Sequence, residues 1–101
     1  MPYLIDATDR DGVAELRRAR RPDHLAYLES KLPLLIAVGA KLSDDGATSL
    51  GSLYLIDVDD RASAEAFIAA DPYVKAGVFG TVKITRWRKG YFDGKRLAPR
   101  E

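Results

Sequence analysis

A small α+β domain, with both helices on one face of an antiparallel sheet, is the fold class that the sequence predicts. Four short runs rich in apolar and β-branched residues alternate with two segments of helical character. Their order is strand, helix, strand, strand, helix, strand. The chain has 101 residues, enough for one hydrophobic core but too few for two. Residues 1–101 are therefore expected to form a single domain.

The first two elements are a strand and a helix. Residues 3–7 form a short apolar run, as expected of a strand. Residues 9–20 are charged, and residues 15–20 within them could be helical although their apolar stripe is thin. A firmer helix is expected to begin near Pro22, because proline suits the first helical turn, with Asp23 as its cap or as a partner of the helix dipole. The leucines expected on its buried face are Leu25, Leu28 and Leu32, and Pro33 is expected to end it.

Two strands that form a hairpin follow. Residues 34–40 are almost continuously apolar and short, which favours a buried strand over a helix. Residues 51–58 are rich in residues with high β-propensity. The polar segment between them contains the sequence Asp-Asp-Gly, which is typical of a turn. The sequence therefore predicts an antiparallel pair with a polar tip.

A second helix and a fourth strand complete the pattern. Asp59 or Asp60 is suited to cap a helix over residues 61–70. The residues expected to face the core from this helix are Ala62, Ala66, Phe67 and Ala70. Residues 81–89 alternate between apolar and polar, which predicts a strand. The tail at residues 95–101 is polar and is expected to be flexible.

This order of elements is that of the ferredoxin-like fold. Right-handed crossovers would place both helices on one face of the sheet. The third strand directs Tyr54 and Ile56 to one face but Leu53 and Leu55 to the other. Because two helices cover only one face, the other would leave an apolar patch in water. The sequence thus predicts a homodimer with its helix-free faces packed together, the alternative being a patch for another partner.

The composition excludes several classes of function. Sixteen basic and 15 acidic residues give a net charge of +1, which argues against strong attraction to nucleic acid or to a membrane surface. The absence of cysteine excludes disulfides and thiol nucleophiles. With one histidine, a metal site would need carboxylates or a partner chain. No signal-peptide pattern or apolar span is present, so a cytoplasmic protein is expected. No cofactor is expected, since the sequence has no cysteine and no nucleotide-binding motif.

His24 is the first candidate for chemistry. In a first helical turn the dipole would disfavour the imidazolium cation, which leaves a neutral base. The alternative is a histidine at the edge of the core that bonds only the backbone. Asp71 is the second candidate, since a carboxylate can orient a histidine as in a catalytic dyad. Its alternative role is to cap a helical turn that begins at Pro72.

A basic cluster precedes His24 and consists of Arg17, Arg18, Arg20 and Arg21. It is either a solvated charged loop or a clamp for the carboxylate or phosphate of a small substrate. Ser52, next to Gly51, could bring a hydroxyl close to a ligand. Arg17, Arg21 and Ser52 are the candidate substrate-binding residues.

Several segments together resemble the YCII-like family. They are RRPDHLAYLE at residues 20–29, the apolar run that ends in Gly39, the strand GSLYLID, DPYVKAGVF at residues 71–79 and the strand that ends in Arg86-Trp87. The resemblance covers about residues 3–90 and implies a dimeric α/β barrel of ferredoxin-like subunits. It also implies an active site with a histidine and an aspartate, which map onto His24 and Asp71. Some relatives eliminate halide from small cyclic organic acids or isomerise them.

Three functions follow as hypotheses. In a lyase or isomerase, His24 would abstract a proton next to a carbonyl or carboxylate while Asp71 holds its ring. Arg17 or Arg21 would bind the substrate anion, and Ser52 or a backbone amide would stabilise an enolate. In a non-catalytic accessory module, the same dimer cavity would bind a metabolite. The third hypothesis is haem or metal binding through His24.

Overall fold

The computed structural model describes residues 2–97 and contains a four-stranded antiparallel sheet. The order of strands across the sheet is β2-β3-β1-β4. Its strands are β1 (Tyr3–Asp9), β2 (Leu35–Leu42), β3 (Ser49–Ile56) and β4 (Phe79–Arg86). The helices are α1 (Ala14–Glu29), α2 (Arg61–Ala69) and the short α3 (Pro72–Lys75), and a 3-10 turn covers Leu32–Leu34. This order confirms the predicted ferredoxin-like arrangement, with strand ends shifted by one to three residues.

Both long helices pack against one face of the sheet. The sheet residues that form the buried core on this face are Tyr3, Ile5, Ala7, Tyr54 and Ile56. Leu28 joins them from α1, and the α2 residues are Ala64, Phe67 and Ile68. The predicted second helix is thus confirmed, with Asp60 as its cap, because the Asp60 carboxylate accepts a hydrogen bond from the Ser63 backbone N–H.

The opposite face of the sheet carries no helix. The strand register places Leu4 beside Leu55 and Asp6 beside Leu53 on this side. Leu53 is 37% exposed, and its neighbour across the sheet is Gly39 on β2. The alternation predicted for β3 is therefore confirmed, and the helix-free face mixes leucines with charged residues.

The predicted start of the first helix is wrong. α1 begins at Ala14 and continues through Pro22, so that Asp23 lies within the helix and does not cap it. Residues 14–21 consist of alanine, arginine, glutamate and leucine, which are all strong helix formers. A proline inside a helix costs about 3 kcal/mol, and the packing of Leu16 before Pro22 and of His24 and Leu28 after it offsets this cost. His24 consequently lies more than two turns from the N-terminus of α1, and the argument from the helix dipole does not apply to it.

The predicted buried faces of both helices need correction. In α1 the buried residues are His24 and Leu28, whereas Leu25 is 39% exposed and Leu32 lies outside the helix. In α2, Ala64 and Ile68 are buried with Phe67, while Ala62 and Ala66 are exposed and Ala70 is half-buried. Turning α2 this way buries Phe67 and Ile68 together, which removes more apolar surface from water than burying alanines would.

A hairpin follows the main sheet. Its strands are β5 (Tyr91–Phe92) and β6 (Lys95–Arg96), which pair only with each other as a separate two-stranded sheet. The Leu97 N–H donates to the Gly90 carbonyl. The first part of the predicted flexible tail is therefore a strand, and residues 98–101 lie outside the described residues. That a single domain extends to residue 101 stays a prediction.

Residues 2–97 include no helix that is both long and apolar enough to cross a membrane.

Candidate active site

The structure brings together the two residues that the sequence proposed as a dyad. His24 extends from α1, and Asp71 lies directly before α3. The Nδ1 atom of His24 is 2.9 Å from both Oδ1 and Oδ2 of Asp71. Asp71 is fully buried and His24 is 6% exposed. The pair is thus shielded from water, which strengthens its electrostatic interaction.

Asp71 has two structural roles at once. It caps α3, because Oδ1 accepts a hydrogen bond of 2.9 Å from the Tyr73 backbone N–H and Pro72 begins the helix. Its Oδ2 accepts a second bond of 2.8 Å from the Tyr54 hydroxyl. The sequence offered Asp71 either as a helix cap or as the partner of His24. The same carboxylate makes both contacts in the structure.

Two tyrosines fix the plane of the imidazole. The Tyr73 ring stacks on His24 with the centroids 4.0 Å apart and the planes 14° from parallel. The Tyr54 ring meets it edge-on, at 6.2 Å and 77°. With its ring held between these contacts and its Nδ1 held by Asp71, His24 has little freedom to rotate.

The hydrogen bonds define which nitrogen of His24 is free. An ionised carboxylate only accepts hydrogen bonds, so Nδ1 carries the proton that is shared with Asp71. In the neutral imidazole, Nε2 then holds a lone pair. Within residues 2–97 no group forms a hydrogen bond with Nε2, and His24 is one of the residues that line a cleft. The arrangement can therefore act as an oriented base.

Burial keeps the neighbouring phenols protonated. Burial is the main cause that raises the pKa of Tyr54 above its ordinary value of 10.0, and the negative charge of Asp71 adds to it. Burial likewise raises the pKa of Tyr73, against the opposing charges of Arg17 and Arg21. Tyr54 thus remains a hydrogen-bond donor to Asp71 throughout the physiological pH range.

A cleft of about 1030 Å³ opens beside His24. Its walls are one side of α1, the segment 8–13 that leads into α1, part of β2 and the segment 47–50 that leads into and begins β3. Ser52, Val38 and Ala40 share the helix-bearing side of the sheet, as their register with Ala7 and Tyr54 requires. The cleft exists because α1 does not cover the edge strand β2.

This position corrects the expected cavity. The sequence predicts a hollow beside His24 that is enclosed between two helix-free sheet faces. The cleft and His24 instead lie on the opposite side of the sheet, between α1 and β2. The reason is topological, since the dyad joins two helical elements and these pack on one face only.

Arg17 is held by the protein itself. Its guanidinium donates to Asp9 Oδ1 at 2.8 Å, to Ser52 Oγ at 2.7 Å and to the Gly51 carbonyl at 3.1 Å. It also lies 4.6 Å from the centre of the Tyr73 ring. Burial raises the pKa of Asp9 above its ordinary value of 3.8, although Arg17 opposes this rise. Arg17 therefore joins β1, β3 and α1 at the wall of the cleft.

The other candidate binding residues occupy different parts of the cleft. Ser52 is buried and lines its wall, and Arg18 and Arg21 are exposed residues that line it from α1. Arg20 is not among the lining residues. The basic cluster of the sequence is thus divided by the helix, with one member bound internally, two at the cleft and one outside it.

Three residues of this site were not singled out from the sequence. The alternation of β3 did signal that Tyr54 shares a face with Ser52, and Tyr73 stands two residues after Asp71. No sequence signal pointed to Asp9 as the partner of Arg17. The part of the chain that the structure describes holds no cluster of three or more histidine, aspartate or glutamate side chains suited to a metal ion.

Comparison with known proteins connects this site to a family. The model of the YCII-related domain matches residues 1–88. The chain belongs to the YCII-related family. Its relatives include the protein YciI of Escherichia coli, 35% identical over 96 residues, which cover 88% of this chain and 98% of YciI. An uncharacterised protein of Haemophilus influenzae is 33% identical over the same shares of the two chains.

Solved structures agree with the fold. A 5-chloro-2-hydroxyhydroquinone dehydrochlorinase of Burkholderia phenoliruptrix, in complex with 2,5-dihydroxybenzoquinone, is 30% identical with a TM-score of 0.84, over 89% of this chain and 96% of that one. A hypothetical protein of Arabidopsis thaliana is 13% identical with a TM-score of 0.50, over 91% and 89% of the chains, which shows the fold alone. A small-molecule enzyme thus stands among the structural neighbours of this YCII-related chain.

Proposed function

We propose that this protein is a lyase or isomerase that acts on a small organic acid, with His24 as the general base. The observation that carries the proposal is the buried His24–Asp71 pair beside a cleft, with Nε2 of His24 left without a protein partner in residues 2–97. An oriented base at a cleft is what proton abstraction from a bound carbon acid requires.

The reaction begins with the transfer of a proton to Nε2 of His24. The C–H bond next to a carbonyl or carboxylate breaks, and its electron pair forms an enolate. In a lyase the enolate expels a leaving group, such as halide, with its bonding pair; in an isomerase the imidazolium returns the proton to another carbon. Asp71 stabilises the imidazolium and keeps Nδ1 protonated. General base catalysis of this kind is worth about 10²–10⁴-fold in rate.

Charged and polar groups at the cleft suit the developing anion. Arg17 donates a hydrogen bond to Ser52 Oγ and so fixes the Ser52 hydroxyl at the wall, where it can donate to an enolate oxygen. Arg21 stands at the cleft as the binding group for the substrate carboxylate. Because these groups are preorganised by the fold, the enolate gains stabilisation without a large rearrangement of the protein.

The solved relative supports the reaction class. The dehydrochlorinase has 30% identity to this chain, and its name describes the removal of chloride from a hydroxylated ring compound. Loss of chloride with a proton is an elimination, which needs a base and a leaving group. The same class of reaction fits a cleft with one oriented imidazole and no requirement for an organic cofactor.

The test is turnover of a panel of cyclic organic acids and halogenated hydroquinones by the wild type and by His24→Gln. We expect the substitution to reduce turnover of an accepted substrate by about 10²–10⁴-fold. Asp23→Asn is a matched control, because Asp23 is exposed on the same helix and does not line the cleft. Equal turnover by the wild type and His24→Gln would refute the role of His24.

The alternative function is a metabolite-binding or accessory module that uses the same cleft without chemistry. The large cleft and the internal bonding of Arg17 are equally compatible with binding. The same panel separates the two functions. Binding of a ligand by both proteins, detected by calorimetry, together with no turnover by the wild type, would favour the module.

We also propose that the protein is a homodimer through its helix-free sheet face, where Leu4, Leu53 and Leu55 are incompletely buried. Light scattering at micromolar concentration should give twice the chain mass for the wild type. Leu53→Arg should shift the mass toward one chain, whereas Leu97→Arg, on the exposed hairpin, should not. A single-chain mass for the wild type would exclude this dimer. The cytoplasmic location stays a prediction.

A further inference from the structure

The side of α1 that lines the cleft has two chemically different halves. Arg18 and Arg21 lie toward its N-terminal half, and Leu25 and Leu28 lie toward its C-terminal half. Spacings of three and four residues place these side chains above one another on one helix face. His24 stands between the two halves. The cleft is therefore cationic at one end and apolar at the other, with the imidazole in the middle.

The cationic end has charges that the protein does not neutralise. Arg17 is paired with Asp9, and both side chains are mostly buried. Within residues 2–97, by contrast, Arg10, Arg18 and Arg21 form no ion pair and no side-chain hydrogen bond. Asp11 is the one further acidic residue among those that line the cleft. Positive charge is thus in excess at this end, which favours an anionic ligand group.

The charge of Arg21 also acts close to His24. Arg21 lies three residues before His24 on α1, and both residues line the cleft. A ligand anion bound at Arg21 would therefore be a near neighbour of the imidazole. This proximity connects the binding end of the cleft with its base.

The apolar end leaves hydrophobic side chains in contact with water. Leu25 is 39% exposed and Leu50 is 46% exposed, although both line the cleft. Val38 and Ala40 of β2 and Leu28 of α1 complete this wall. A nonpolar ligand group placed here would be stabilised by about 25 cal/mol for each Å² of apolar surface removed from water.

Helix geometry sets the scale of the ligand. With a rise of about 1.5 Å per residue, Arg21 and Leu28 are separated by roughly 10 Å along α1, and Arg21 and His24 by roughly 4.5 Å. Along the helix, His24 is thus closer to Arg21 than Leu28 is. A compact molecule with a charged group and one ring matches this spacing.

We propose that the cleft binds a cyclic carboxylate in a single orientation, with the carboxylate at Arg18 and Arg21 and the ring against Leu25, Leu28 and Val38. This names the substrate class of the proposed enzyme and rests on that proposal only for the chemical step at His24. The orientation presents to Nε2 the ring carbons nearest the carboxylate. Arg18 and Arg21 are specificity-determining residues that distinguish the acid from its uncharged isosteres.

The experiment compares the binding of benzoate with that of benzamide, its uncharged isostere, by calorimetry at low and high salt. The wild type should bind benzoate about 10-fold more tightly or better, because charge-assisted hydrogen bonds are roughly twice as strong as neutral ones. High salt should reduce this preference, since the arginines are exposed. The double substitution Arg18→Gln/Arg21→Gln should abolish the preference, and Leu25→Ser should weaken both ligands alike.

Arg20→Gln is the matched control, because Arg20 is on the same helix and does not line the cleft. It should retain the preference for benzoate. Equal affinity of the wild type for both probes, no measurable binding of either, or the same effect of Arg20→Gln and of the double substitution Arg18→Gln/Arg21→Gln would overturn the inference. Circular dichroism checks that each variant is folded.

The outcome is separable from that of the proposed function. Binding is measured without turnover, and His24→Gln should keep the preference for benzoate. If the wild type binds benzoate more tightly than benzamide but His24→Gln leaves turnover intact, the proposed role of His24 is refuted and the proposed ligand class is supported. If His24→Gln abolishes turnover but the wild type binds benzoate and benzamide equally well, the proposed ligand class is refuted and the role of His24 as the base is supported.

Discussion

Nδ1 of His24 lies 2.9 Å from each carboxylate oxygen of Asp71, although 47 positions separate the two residues in the chain. The contact joins α1 to the start of α3, and the same carboxylate caps α3 and accepts a bond from Tyr54. The dyad and the local fold therefore depend on one side chain. A substitution at Asp71 is therefore expected to change the stability of the fold together with the environment of His24, and experiments must separate the two effects.

Asp71→Asn should change the tautomer of His24. The new amide group donates where the carboxylate accepted, so the imidazole is expected to move its proton to Nε2 and lose its free base. Nitrogen-15 NMR of the imidazole should report a proton on Nδ1 in the wild type and on Nε2 in the variant. Turnover of an accepted substrate should fall by about 10²–10⁴-fold. An unchanged tautomer together with full turnover would contradict the role of Asp71.

Arg17→Met should destabilise the fold by about 3 kcal/mol at pH 7, because it leaves Asp9 as a buried carboxylate without its partner. Burial already holds the pKa of Asp9 above 3.8, and removal of Arg17 raises that pKa further. The penalty is complete above the folded-state pKa and declines as the pH falls through it, since protonation removes the buried charge. Urea unfolding at pH 7 and pH 4 measures this difference.

The double variant Arg17→Met/Asp9→Asn provides the control for this prediction. It removes both charges, so its stability at pH 7 should exceed that of Arg17→Met. If the double variant were as unstable as the single one, the unpaired charge of Asp9 would not be the cause of the loss, and the hydrogen bonds from Arg17 to Ser52 and Gly51 would account for it.

Gly51→Ala should severely destabilise the protein. A Cβ at Gly51 would overlap the Ala7 carbonyl oxygen on β1, a backbone atom that cannot move without breaking the sheet. We expect a loss of at least about 3 kcal/mol, measured by thermal or urea unfolding. Gly39→Ala on neighbouring β2 is the control, because its Cβ would meet no atom within 4 Å. A Gly51→Ala protein as stable as Gly39→Ala would exclude this close approach of β1 and β3.

Tyr54→Phe should reduce the decrease in the free energy of unfolding that occurs as the pH rises above about 10. Burial raises the pKa of Tyr54 above 10.0, so the unfolded chain ionises this phenol first and the folded state binds more protons. The free energy of unfolding must then fall above about pH 10, by up to about 1.4 kcal/mol per pH unit from this group. Urea unfolding between pH 9 and pH 11 measures the slope, with Tyr91→Phe on the exposed hairpin as control. Identical slopes for the wild type and Tyr54→Phe would refute the prediction.

A chain that ends after Lys89 should keep the fold. The hairpin β5–β6 forms its own sheet and shares no strand pairing with the main sheet, and the match to the family model ends at residue 88. Loss of the hairpin should therefore change the melting temperature by only about 2 °C, measured by circular dichroism. A drop of more than about 8 °C would mean that the hairpin packs on the main sheet.

The strands could be predicted because their signal is local. Alternation with a period of two distinguished the face of Tyr54 from that of Leu53, and the strand register agrees. The start of α1 could not be predicted in the same way. There, one proline signal was given more weight than the helix-forming residues before it, although tertiary packing on both sides of Pro22 sustains the helix.

The candidate site depended on contacts that no local pattern encodes. The residue types offered His24 and Asp71 as one possible pair and the resemblance to the family implied the same two residues, whereas their spacing in sequence did not demand contact. Tyr73 and Asp9 became visible only when α3 and the end of β1 were placed beside α1. The position of the cleft likewise follows from the uncovered edge of β2, which is a property of the whole topology.

The sheet separates the His24–Asp71 pair and the cleft from the surface on its other side. The dyad and the cleft occupy the helix-bearing side, while Leu4, Leu53 and Leu55 occupy the bare side. The four-stranded sheet lies between these two surfaces. Substitutions on the bare side can therefore leave the imidazole undisturbed, and substitutions at the cleft can leave the bare side unchanged.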